Sequence, residues 1–86
     1  MKINPKKLKD EELLAYFAHY CEDEELTSLA LLVPYAMSDK SDKERNDVLR
    51  KVVNGAELKA VYEDIKAPKG AIFLGSIMDG SLYLIP

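Results

Sequence analysis

The last sixteen residues, 71–86, constrain the fold more than any other segment of this 86-residue chain. They read AIFLGSIMDGSLYLIP, are rich in β-branched and aromatic side chains, and carry one charge, on Asp79, which is typical of β-strands. Asp79-Gly80 predicts a two-residue type I′ turn, because both positions of that turn need a positive φ. We therefore predict a hairpin with strands at about 71–78 and 81–85.

The predicted hairpin has large apolar side chains on both faces. Its turn places Met78 opposite Ser81, so that one face holds Leu74, Met78, Tyr83 and Ile85, and the other holds Phe73, Ile77, Leu82 and Leu84. One face can cover helices, and the other needs a cover of its own. An isolated hairpin is marginal in water, so we expect a further helix or a third strand, for which the N-terminal MKIN is the candidate.

Four helices are predicted before the hairpin, at about 11–21, 24–33 or 37, 42–53 and 56–66, from the spacing of apolar residues. The first two each begin within a copy of DEEL. Asp10 or Asp23 is the expected N-cap, and the two glutamates that follow it lie at the positive end of the helix dipole. The third has a capping box, Ser41-x-x-Glu44, and an Asn54-Gly55 stop.

The fourth helix is predicted from a strict i, i+3, i+4, i+7 stripe formed by Leu58, Val61, Tyr62 and Ile65. Together these elements predict a single α+β domain over residues 1–86. The composition, 48% hydrophobic and 31% charged, is that of an ordinary globular protein.

The expected location is the cytoplasm, without membrane contact. The single cysteine excludes an internal disulfide and zinc sites with several thiolates. The N-terminal stretch MKINPKKLKDEE runs into acidic residues instead of an apolar segment, which argues against a secretory signal. The longest apolar run, Leu29–Met37, is too short to span a bilayer.

The sequence predicts no catalytic residues, no metal site and no cofactor. His19 and Cys21 are the only residues of their types, and two positions apart on a helix they lie about 200° around the axis, which prevents a nucleophile–base pair. The glycines lack phosphate-loop spacing, and the acidic residues lack the alternation of a calcium loop.

The charge distribution favours a non-catalytic protein-binding module, such as an adaptor, an antitoxin or immunity-type protein, or an inhibitor of a larger basic or nucleic-acid-handling enzyme. Residues 10–25 carry seven acids and no Lys or Arg, which would steer a partner with a basic surface. A homodimer through the hairpin is a second option, and the alternative interpretation of the acids is that they only cap helices. The predicted contact residues are Tyr16, Tyr20, Glu22, Asp23, Glu24, Glu25, Ile77, Met78 and Tyr83.

The alternative hypothesis is a winged-helix-like DNA-binding regulator in which helix 42–53 enters the major groove. Its predicted nucleic-acid contacts are Lys40, Lys43, Arg45, Arg50 and Lys51. Acidic residues interleave with these bases, the pI is near 5.1, and the hairpin has no basic residue. Because phosphate neutralisation dominates DNA affinity, nucleic acid is the less favoured partner.

Overall fold

The computed structural model describes residues 3–62 and 65–86, and its architecture is α+β, as predicted. Helices occupy the first part of the chain and a three-stranded antiparallel sheet the second. The elements are two short 3-10 helices, Pro5–Lys7 and Asp10–Glu12, the helices α1 (Leu13–His19), α2 (Glu24–Leu31), α3 (Val33–Ala36) and α4 (Asp42–Val53), and the strands β1 (Glu57–Tyr62), β2 (Ile72–Ile77) and β3 (Gly80–Ile85).

Helix α4 has the bounds and caps that the sequence predicts. The Ser41 hydroxyl accepts a hydrogen bond from the Glu44 N–H at 3.2 Å. At the other end Gly55 takes φ +112°, and the Ala56 N–H donates to the Lys51 carbonyl at 2.9 Å. This Schellman-type closure satisfies carbonyls that the helix itself leaves free.

The two DEEL segments start their helices differently. Asp23 caps α2 as predicted, because its carboxylate accepts from the Leu26 N–H at 3.1 Å. Asp10 does not cap α1, so that prediction is wrong: its carboxylate accepts from the Arg50 guanidinium instead. The helix begins only at Leu13, after a 3-10 turn.

The predicted helix at 56–66 is wrong, since residues 57–62 form strand β1; residues 63–64 lie outside the described part of the chain. Strand β1 pairs with β3, which places β3 in the centre of the sheet, with β1 and β2 as its neighbours. Pairing with a partner distant in sequence outweighs the helical spacing of a short segment. The third strand therefore does not come from the N-terminus: residues 3–4 are not in a strand, and residues 1–2 are outside the described part.

The hairpin turn lies one residue earlier than predicted, which moves the strand pairing by two residues. Ile77 pairs with Gly80, so the turn is Met78-Asp79, and neither Asp79 nor Gly80 has a positive φ. Gly80 is instead needed for a close approach between strands, because a Cβ on it would lie 2.2 Å from the Val61 carbonyl oxygen.

A β-bulge at Leu74 changes which side chains face the helices. Phe73 pairs with Tyr83 and Gly75 pairs with Leu82, which leaves Leu74 as the extra residue of β2. The predicted faces are therefore wrong: Leu74 joins Leu82 and Leu84 on the inner face, and Phe73 and Tyr83 point outward. Gly75 packs so closely on α3 that a Cβ would lie 1.8 Å from the Ala36 carbonyl oxygen.

The core lies between the helices and the inner face of the sheet. Its largest fully buried side chains come from α1, α3, α4 and β3 and are Leu13, Phe17, Val33, Leu49, Leu82 and Leu84. Phe73, Tyr83 and Ile85, on the outer face, do not belong to this buried cluster. Within residues 3–62 and 65–86, the second face of the hairpin thus leaves Phe73 exposed and Tyr83 and Ile85 half-buried.

Candidate protein-binding surface

Exposed apolar side chains are concentrated around the hairpin. Of the nine large hydrophobic residues exposed in the described part of the chain, five belong to the sheet and its connections, namely Tyr62, Ile65, Ile72, Phe73 and Met78. The Phe73 and Tyr83 rings meet edge to face, with centroids 5.7 Å apart. A cavity of about 410 Å³ beside the turn brings Tyr83 together with Tyr62, Ile65 and Met78. We call Tyr62, Ile65, Phe73, Met78 and Tyr83 the hairpin surface.

The predicted hairpin contacts fall in different places. Met78 is 88% exposed, and Tyr83 is half-buried beside Phe73. Ile77 is partly buried and packs against the core, so it contributes less than predicted. Phe73 was not among the predicted contacts and was expected on the same face as Leu82 and Leu84. The glycine at position 75 was the available sign of the bulge that moves Phe73 to the side of Tyr83.

Four consecutive acidic residues, Glu22–Glu25, lie at the end of the α1–α2 connection and the start of α2, and all four are exposed. We call them the acidic corner. Within residues 3–62 and 65–86 the ion pairs are Arg45–Asp42 and Arg50–Asp10, and neither involves this corner. Its carboxylates therefore face solvent with most of their charge available to a partner.

A cavity of about 420 Å³, which we call the tyrosine cleft, opens beside the acidic corner. The described residues that line it are two aromatic, two acidic and three others: Tyr16, Tyr20, Glu22, Asp23, Ile3, Cys21 and Leu26. Helix α1 ends here because the Tyr20 and Cys21 N–H groups both donate to the Tyr16 carbonyl, at 2.8 and 3.0 Å. Burial raises the pKa of the Tyr16 hydroxyl above its ordinary value of 10.0, and contact with Cys21 and the charge of Glu22 raise it further.

The acidic corner continues toward the sheet. A neighbouring cavity of about 400 Å³ shares Asp23 and Leu26 with the tyrosine cleft and is also lined by Glu25 and by Glu57, the first residue of β1. Glu57 pairs with Ile85 across the sheet. Acidic groups thus extend from the end of α1 to the first row of the sheet that carries the hairpin surface.

The arginines predicted to contact DNA are used within the fold. Arg50 donates to the Asp10 carboxylate at 2.7 and 3.1 Å and to the Leu8 carbonyl at 2.5 Å. Arg45 donates to the carbonyls of Met37 and Lys40, at 3.1 and 2.9 Å, and to the Asp42 carboxylate.

The other predicted DNA contacts are lysines, and the side chains of Lys40, Lys43 and Lys51 are exposed.

The histidine and the cysteine do not lie in a cluster of reactive side chains. His19 is exposed, and Cys21 is half-buried with its Sγ 3.7 Å from the Asp23 carbonyl oxygen. Among the residues that the structure describes, no group of three or more His, Cys, Asp or Glu is arranged to hold a metal ion. In that same part of the chain, no helix has the length and apolar character needed to cross a membrane.

Comparison with protein-family models, with curated proteins and with solved structures yields no match for this chain.

Proposed function

We propose that this protein is a small, non-catalytic protein-binding module of the cytoplasm, whose partner is another protein with a basic surface. The observation that carries the proposal is the hairpin surface. Monomeric proteins rarely expose a large contiguous apolar patch unless it binds something, and Phe, Tyr and Met are enriched at the centres of protein interfaces. Here Phe73 and Met78 are 56% and 88% exposed.

The charge of the molecule supports the choice of partner. The acidic corner and Glu57 border the sheet with carboxylates that make no ion pair within the described chain. Such a field accelerates encounter with a basic protein and opposes binding to nucleic acid. An exposed apolar surface with an acidic border suits an adaptor, an immunity-type protein or an inhibitor of a basic or nucleic-acid-handling enzyme.

Affinity capture from a host lysate at low salt, with matched variants, tests the proposal. The variant Phe73→Ser/Met78→Ser removes the centre of the hairpin surface, and Leu31→Ser is the control because Leu31 is 44% exposed on α2, outside that surface. We expect one protein to bind the wild type and the control, to be lost from the double variant, and to elute as salt rises. Equal capture by both variants, or no capture by a monomeric wild type, would refute the proposal.

Sizing by light scattering distinguishes a second copy from a different partner. A dimer that is abolished by Phe73→Ser/Met78→Ser would mean that the hairpin surface is covered by its own copy. We expect the purified chain to be monomeric, because the acidic corner repels its equivalent on a second copy and has more to gain from a basic protein.

DNA binding remains the second candidate, for one reason. The structure has a strand where a fourth helix was predicted, so helices are followed directly by a sheet with a terminal hairpin, which is closer to a winged-helix outline. The engagement of Arg45 and Arg50 within the fold argues against it. A flat titration with duplex DNA at about 50 mM salt would exclude this function.

A further inference from the structure

We infer that the tyrosine cleft binds one arginine side chain of the partner protein, in contact with the side chains of Tyr16 and Tyr20 and with the carboxylates of Glu22 and Asp23. This inference rests on the proposed function and names one specific contact within it. The cleft combines groups that match the three parts of an arginine: its charge, its planar head and its apolar stem.

Most of the described lining residues come from one stretch of the chain, residues 16–26, and Ile3 comes from the N-terminal segment. Tyr16 and Tyr20 come from the last turn of α1 and the residue after it, and Glu22 and Asp23 come from the connection to α2. A guanidinium stacks on aromatic faces and pairs with carboxylates in the plane of its N–H groups. Leu26 and Ile3, from α2 and the N-terminal segment, add apolar surface suited to the methylene stem of an arginine.

The cleft is small and open to solvent. Sites for whole small molecules usually enclose about 300–1,000 Å³, so a volume near 420 Å³ lies toward the small end of that range. The Tyr20 side chain is 60% exposed, which leaves the cleft open to a side chain that arrives from another protein.

The charge of the lining indicates that the occupant is a cation. Among residues 3–62 and 65–86, the charged residues that line the cleft are Glu22 and Asp23, with no lysine or arginine beside them. The charge of Glu22 is also felt inside it, because it contributes to the raised pKa of the Tyr16 hydroxyl. Asp23 uses one carboxylate oxygen to cap α2, and that bond also fixes its position at the rim.

Amide NMR of the full chain, titrated with N-acetyl-arginine amide, tests the inference without any partner. N-acetyl-citrulline amide is the uncharged isosteric control, and N-acetyl-lysine amide tests the preference for a planar head. We expect saturable shifts at Tyr16, Tyr20 and residues 21–26 with the arginine compound, weaker shifts with the lysine compound, and none with citrulline. Shifts that are equal for arginine and citrulline, or spread over all acidic positions, would overturn the inference.

Matched variants locate the site. Glu22→Gln should weaken arginine binding by roughly two- to fivefold, whereas Glu24→Gln, which removes the same charge outside the cleft, should change it little. Tyr20→Leu should weaken binding, and Tyr35→Leu should not, since these side chains are 60% and 58% exposed and only Tyr20 lines the cleft. Equal effects within either pair would show diffuse attraction and no site.

The titration also separates this inference from the proposed function. Loss of protein capture in the hairpin variants with no arginine binding at the cleft would refute the inference alone. Arginine binding at the cleft with capture that ignores the hairpin variants would refute the proposed function of the hairpin surface alone.

Discussion

Replacing Arg50 by alanine should destabilise the fold, because this side chain attaches the N-terminal segment to α4. Its guanidinium, 27% exposed, pairs with the Asp10 carboxylate and donates to the Leu8 carbonyl. Exposed ion pairs contribute about 0.2–1 kcal/mol, and a hydrogen bond from a charged group to a partly buried carbonyl contributes about 1.5 kcal/mol at the lower end of its range. We therefore expect a loss of about 2 kcal/mol in the free energy of unfolding.

Urea unfolding followed by circular dichroism measures this loss, and the thermal midpoint should fall by about 8–16 °C for a domain of this size. Lys51→Ala is the control, because Lys51 is the neighbouring, exposed base of the same helix. Its substitution should cost less than about 0.5 kcal/mol. If Arg50→Ala and Lys51→Ala have the same small effect, the assignment of Arg50 to the fold is wrong, and it is again free to contact nucleic acid.

Three further substitutions, the first of them with a control, test other parts of the structure. Gly75→Ala should lower the free energy of unfolding in urea by about 3 kcal/mol, because its Cβ would meet the Ala36 carbonyl oxygen at 1.8 Å. The control Gly70→Ala, at φ +83° and in open space, should lower it by about 1 kcal/mol. Equal losses would contradict the close packing of β2 on α3. Ser41→Ala should cost about 1 kcal/mol in the same assay through loss of the α4 cap, and an unchanged midpoint would contradict that role. The folded-state pKa of Tyr16 is raised above 10.0, so its contribution to stability is fully present below pH 10 and is lost as pH rises through the folded pKa. Tyr16→Phe should therefore make the unfolding midpoint fall less steeply at alkaline pH. An identical alkaline fall in the variant would refute this.

Local signals in the sequence predict the start of α2 and both ends of α4. Ser41 and Asp23 cap the helices that they precede, and Gly55 ends α4, because these effects depend on residues within one turn of the chain. Asp10 is the exception, since a partner forty residues away takes its carboxylate. The acidic corner and the two tyrosines beside it lie close together in sequence as well as in space, and their role as partner contacts stays a prediction.

Contacts between distant residues account for what the sequence could not predict. Residues 57–62 have helical spacing and still form a strand, because β3 offers them a paired edge. The turn dipeptide Asp79-Gly80 predicted a register that the bulge at Leu74 and the close approach at Gly80 override. The extra residue at Leu74 turns Phe73 to the side of Tyr83, and Phe73, the most exposed aromatic residue of the hairpin, was not among the predicted contacts.

Site-specific photo-crosslinking in the host cell tests most directly whether the hairpin surface binds another protein. A photoreactive phenylalanine analogue at position 73 lies on that surface, and the same analogue at position 31 reports on exposed α2. If the hairpin surface binds another protein, we expect a single crosslinked product from position 73, larger than the chain and different in mass from two copies of it, and none from position 31. That role would be contradicted by the absence of a product from position 73, by a product with the mass of two copies, or by equal products from both positions.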